Sequence, residues 1–169
     1  MLSHELFGRM AVGTATEIVE FAYETDKKLY RAVLEAVASF RKLRPVFLER
    51  QSRAERNPTF IGALKRPEMG LIADNLIRHW LLEKHSSMLA EFLTSLGIAN
   101  NKGVVEQLPS SVGDAPLKSA VDALLAKYPA DAVTIYLNAF NQFNQAGWEN
   151  LDAQLKQDQR LQLNGDGGK

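Results

Sequence analysis

The stretch DKKLYRAVLEAVASFRKLR, residues 26–44, decides the fold. At 100° per residue, Leu29, Val33, Ala36, Phe40 and Leu43 fall within about 80° of one another, flanked by Tyr30, Leu34 and Val37. The apolar arc covers about half the helix circumference. Lys27, Lys28, Arg31, Glu35 and Lys42 gather on the other side, as a solvated back face requires. Pro45 lacks a backbone N–H and ends or kinks this helix.

The same period recurs on both sides, while no stretch alternates for more than a few positions, so strand signals are nearly absent. Upstream, Thr14 to Glu17 has the spacing of a capping box opening a helix with Ile18, Val19, Phe21 and Ala22. Residues 3–10 suit a short helical turn. Downstream, Val46, Phe47 and Leu48 extend a helix to about residue 54, and Asn57-Pro58 reads as a cap and first-turn proline for a short element ending near Lys65.

Residues 67–84 hold Leu71, Ile72, Leu76, Ile77, Trp80, Leu81 and Leu82 and leave no wide polar face, the pattern of a central helix. A helix from Ser86 or Ser87 should stop at Gly97, with Ile98 closing a Schellman-type contact. Residues 98–115 form one long irregular stretch, of a length compact domains seldom carry without a reason. Helices follow over about 116–127, capped by Asp114, and over 130–145; a last one starts at Trp148.

The expected fold is therefore all-α: a single-domain irregular bundle of about seven helices over residues 1–163, around a central apolar helix near 67–84, with a disordered tail at 164–169.

Composition bounds the function. The chain has 169 residues, 46% hydrophobic and 24% charged, an ordinary globular make-up. It contains no cysteine, which excludes disulfides, thiol catalysis and iron–sulfur ligation. No apolar run approaches the roughly 20 residues of a bilayer span, so no membrane partner is expected. The first residues carry Glu5 where a signal peptide would be basic and lack its apolar segment, so a cytoplasmic location is expected.

Three surfaces are candidates for function. Asn75, His79 and Glu83 are spaced i, i+4, i+8 along the 67–84 helix; beside Trp80 they could bind a small ligand or serve an enzyme, with His79 as base or metal ligand, Glu83 as its orienter or co-ligand and the 98–115 loop as lid. The alternative is a partly buried structural polar network, or simply the solvent side of the helix.

The second surface is the face of the 130–145 helix bearing Asn138, Asn141, Gln142 and Gln145, amides without charge, which could face a partner or stay solvated. The third is basic. Residues 41–66 carry eight Lys or Arg against Glu49 and Glu55, in a chain of 20 bases and 20 acids. Within this segment Arg41, Arg44, Arg50, Arg53 and Arg56 could dock on phosphates, with Phe47 and Phe60 among the charges. The neutral chain makes nucleic acid the weaker reading, and acidic protein partners or intramolecular pairing explain the charge as well.

His4, His79 and His85 are the only histidines, and no Glu-x-x-His, phosphate-loop or strained-nucleophile motif occurs, so no metal, cofactor or catalytic residue is expected. What remains is a non-catalytic helical module that binds a protein partner or itself. The wide arcs of 26–44 and 130–145 would make a homodimer, or would pack on each other.

Overall fold

The computed structural model describes residues 1–165 and is all-α, with ten α-helices and no strand among the described residues. The expected tail at 164–169 falls, from residue 166 on, outside the described residues. Two compact units divide the chain, one formed by Leu2–Trp80 and one by Leu81–Leu163, which Met1 joins.

In the first unit, α1 (Ser3–Arg9), α2 (Val12–Thr25), α3 (Lys27–Phe40), α4 (Pro45–Glu49) and α5 (Arg53–Leu64) lead to a 3-10 turn at Pro67–Met69. Helices α2, α3 and α5 pack mutually, and α4 lies against α3. Asp26 caps α3 by accepting from the backbone N–H of Lys28 (3.0 Å) and Leu29 (2.9 Å). This satisfies two of the donors that every helix start leaves open.

Three local expectations need correction. Helix α2 begins at Val12, so Thr14 lies inside it. The capping box forms instead at Ser52 and Glu55, where Ser52 N–H donates to Glu55 (2.7 Å) and Glu55 N–H donates to Ser52 Oγ (3.3 Å). Because α5 starts there, Pro58 sits inside a helix rather than at its first turn, and Asn57 is buried, donating from Nδ2 to Glu20 (2.7 Å).

The third correction concerns the end of α3. It stops at Phe40, ahead of Pro45, because Lys42 turns left-handed (φ 55°). Leu43 N–H then donates to Ala38 (2.8 Å) and Lys42 N–H to Ser39 (3.0 Å), a Schellman closure with lysine where glycine is usual. Pro45 becomes the first residue of α4.

Helix α6 (Gly70–Lys84) spans the division between Trp80 and Leu81. The second unit adds α7 (Ser86–Ser95), α8 (Asp114–Lys127), α9 (Ala130–Phe143), α10 (Glu149–Gln157) and a 3-10 turn at Gln159–Leu161. Gly97 (φ 70°) ends α7, and Ile98 N–H donates to Leu93 (2.9 Å), as the sequence suggests.

Helix α6 is not apolar on every face. Ala73, Leu76, Ile77, Trp80 and Leu81 are buried, while Leu71, Asn75 and Arg78 are exposed, Leu71 to 74%. The helix enclosed all round is α9, whose residues 132–140 are consecutively buried, Thr134 and Asn138 included. Tyr136 and Phe140 meet Phe92 of α7 edge-on, at centroid distances of 5.5 and 5.6 Å, and Phe140 meets Trp148 at 5.3 Å.

The 96–113 segment is pinned rather than free. Asn101 and Val104 exchange backbone hydrogen bonds (2.8 and 3.0 Å), the Trp148 indole N–H donates to Pro109 (2.9 Å), and Asn150 Nδ2 donates to Val112 (2.8 Å). Among the described residues no helix is long and apolar enough to cross a membrane, and no three metal-ligating side chains converge.

Candidate interaction surface

The histidine row of α6 resolves into a helix–helix joint. Thr25 donates its one hydroxyl hydrogen to the Phe21 carbonyl (2.6 Å), so the 2.8 Å contact between Thr25 Oγ1 and His79 Nε2 must have the imidazole as donor. The ring also leans on Phe21 at 5.4 Å. Trp80 is buried and donates to Glu17 (3.0 Å). Asn75 and Glu83 are exposed and His79 is half-buried, so the three are not gathered on one buried face.

The amide face of α9 divides along its length. Asn138 is buried, against the expectation of a partner-facing residue; it donates to the Thr134 carbonyl one turn back (2.9 Å), and its Oδ1 accepts from the Met1 amino group (3.1 Å). A side-chain amide that closes on its own helix backbone in this way is compatible with burial. Further along, Asn141 and Gln142 are half-buried and Gln145 is exposed. These three line an open cleft of about 500 Å³ with Gly147, Trp148, Glu149 and Asp152. Asn141 donates to Asp152 (3.3 Å) across it, and Asp152 also pairs with Lys156 (2.7 Å).

The basic segment also splits in two. Arg53 pairs with Glu20 (2.5 Å) and lies 4.2 Å above the Tyr23 ring. Arg56 is half-buried, with its guanidinium 5.7 Å from the Tyr30 ring. Both are used in joining α5 to α2 and α3. Arg41, Arg44 and Arg50, together with Lys42, are exposed and make no ion pair or side-chain hydrogen bond among the described residues. The one acid in residues 41–50, Glu49, is held by Arg31, which also binds Glu35 (2.7 Å). That clasp joins α4 to α3 and leaves the four cations without an ion pair among the described residues.

The same corner carries apolar side chains in water. Of nine large apolar residues exposed in the described structure, four lie within eight positions: Phe40 (37%), Leu43 (42%), Val46 (40%) and Phe47 (54%). Scattered exposed apolar residues need no explanation, but a cluster of this kind does. Phe60, read with Phe47 as an aromatic among charges, is fully buried.

Sequence reasoning named three of these cations and Phe47 but placed Phe40 and Leu43 in the buried arc. The usable signal was the interleaving FRKLRPVF, residues 40–47, which holds no acid. Comparison with protein-family models, curated proteins and solved structures finds no match for this chain.

Proposed function

We propose that this chain is a helical interaction module whose docking surface is the α3–α4 corner. One observation carries the reading: Phe40, Leu43, Val46 and Phe47 are each exposed within eight consecutive positions, among cations that make no ion pair within the described residues. An apolar centre with a charged margin is the anatomy of a protein–protein interface, where a few aromatic and Arg residues supply most of the binding free energy. Isologous self-pairing here would set Arg41, Lys42, Arg44 and Arg50 against their own copies, so a different protein is favoured over a homodimer through this surface. A cytoplasmic location belongs to this reading too; among the described residues no helix is long and apolar enough to cross a membrane.

A photo-crosslinking amino acid at position 47, with a control at the exposed Leu71, tests the surface in cells that make the protein naturally. The expected outcome is a discrete protein adduct from position 47 that position 71 does not give. Adducts of twice the chain's own mass would assign the corner to self-association instead. No adduct from position 47, or the same adducts from both, would remove the proposal.

A further inference from the structure

Resting on the docking reading of the α3–α4 corner, we infer that the partner presents an acidic segment carrying apolar side chains, Asp or Glu flanking two or more large hydrophobic residues. Arg41, Lys42, Arg44 and Arg50 occupy ten consecutive positions whose only acid, Glu49, is already bound by Arg31. Three of the four are arginines, whose planar guanidinium matches a carboxylate through paired N–H donors and is less strongly hydrated than an ammonium group. Carboxylates on the partner would meet an unopposed positive margin.

Phe40, Leu43, Val46 and Phe47 are between 37% and 54% exposed, so roughly half of each side chain is already seated against the protein. Such a shallow patch needs a surface that brings its own side chains to it. A bilayer interface favours apolar side chains that project into the acyl boundary, together with a strongly basic face.

Nucleic-acid affinity scales with the number of phosphates neutralised. Four cations on a chain of net charge zero offer little to either polyanion. A protein segment satisfies both halves of the corner at once.

The experiment pans a displayed library of random peptides against the intact chain at about 0.15 M salt, where exposed charges further apart than about 8 Å are largely screened. Enriched peptides are then titrated by fluorescence anisotropy against the wild type, Arg44→Glu, Phe47→Ser and the control Leu71→Ser. Circular dichroism confirms that each variant retains its helices.

The expected result is enrichment of Asp or Glu beside large apolar residues. Affinity should fall about thirtyfold in Arg44→Glu and in Phe47→Ser, the loss of one interface hot spot each, and stay unchanged in Leu71→Ser. Peptides with Lys in place of their acids should bind the Arg41→Glu/Arg44→Glu double variant better than the wild type.

Enriched peptides without an acidic excess, or indifferent to both corner variants, overturn the inference. So does tighter binding, in the same buffer, to vesicles of equal phosphatidylcholine and phosphatidylglycerol or to a mixed-sequence oligonucleotide. A position-47 protein adduct in cells alongside such a failure would leave the docking surface standing and remove only the acidic-segment assignment.

Discussion

Replacing Gly103 with Ala separates two costs that usually come together. Gly103 sits at φ 87°, and a Cβ built on its backbone would lie 2.3 Å from Leu89 Cβ, 3.1 Å from its Cδ2 and 3.2 Å from its Cγ. Carbon atoms in ordinary contact stand about 3.5–4.0 Å apart, so the chain must move. Left-handed backbone costs an L-residue about 1–2 kcal/mol, and forcing an extra carbon into a packed site about 1–3 kcal/mol. The alanine stiffens the unfolded chain and returns about 0.4–1 kcal/mol. The net expectation is a loss of about 2–4 kcal/mol.

Gly97 supplies the control. It is equally left-handed at φ 70° but meets nothing within 4 Å, so Gly97→Ala should cost only about 0.5–1 kcal/mol. Urea unfolding followed through fluorine signals of 5-fluorotryptophan reads each unit separately, because Trp148 belongs to 81–163 and Trp80 to 2–80. With an m value of about 2 kcal/mol per molar, the Trp148 midpoint should fall by about 1–2 M for Gly103→Ala and by under about 0.5 M for Gly97→Ala. Adding Leu89→Ala should not rescue the first variant, since the closest obstruction is the Cβ that alanine keeps. Equal midpoints for the two glycine variants would refute the packing argument and reduce Gly103 to a backbone requirement.

Lys42 also sits left-handed, at φ 55°, so Lys42→Gly should stabilise the chain by about 0.5–1 kcal/mol and raise the melting temperature by a few degrees; a lower melting temperature contradicts the strain assigned to that turn. The Tyr136 hydroxyl is buried without a hydrogen-bond partner among the described residues, and burial pushes its pKa far above that of an ordinary phenol. Tyr136→Phe should therefore leave stability unchanged or raise it by up to about 1 kcal/mol, and a clear loss on denaturation would mean that the hydroxyl has a partner after all. Glu91 is held below the usual carboxylate range by hydrogen bonds from Lys127 and then Tyr128, Asp158 by Arg160, and Glu5 by the Leu2 backbone. Each folded pKa lies below its unfolded value, so the folded state binds fewer protons. Their stabilisation is present at neutral pH and is lost as pH falls from about 4.5 through the folded values. A urea midpoint that stays level or rises between pH 5 and pH 3 would contradict this, and Glu91→Gln should flatten the slope.

Periodicity made the helices legible, because a solvated face needs charges at 3.6-residue spacing and residues 26–44 supply them. It did not make the covered part of each arc legible. In α3 the buried stripe is Tyr30, Val33, Leu34, Val37 and Ala38, displaced from the stripe through Leu29, Ala36 and Phe40 that the projection centres on. An apolar arc half the circumference wide is broader than the neighbours that pack on it, and the sequence carries no sign of which margin they leave bare. The bare margin here holds Phe40 and Leu43, so the α3–α4 corner follows from that displacement together with the early stop at Lys42.

The central helix illustrates the opposite limit. Apolar content singled out α6, whose Asp74, Arg78, Glu83 and Lys84 nonetheless keep part of its surface toward water. Helix α9 contains Thr134 and Asn138 and looked amphipathic, yet residues 132–148 include no charged side chain at all. A hydroxyl or amide can satisfy itself on the preceding turn, as Asn138 does on Thr134, whereas a charge in the same place would face a desolvation cost of several kcal/mol. The length of a charge-free window is therefore a better sign of enclosure than the width of an apolar arc. By the same reasoning, Arg41, Lys42 and Arg44 interleaved with Phe40, Leu43, Val46 and Phe47, with no acid over residues 40–48, are the sequence feature on which the proposed docking surface rests.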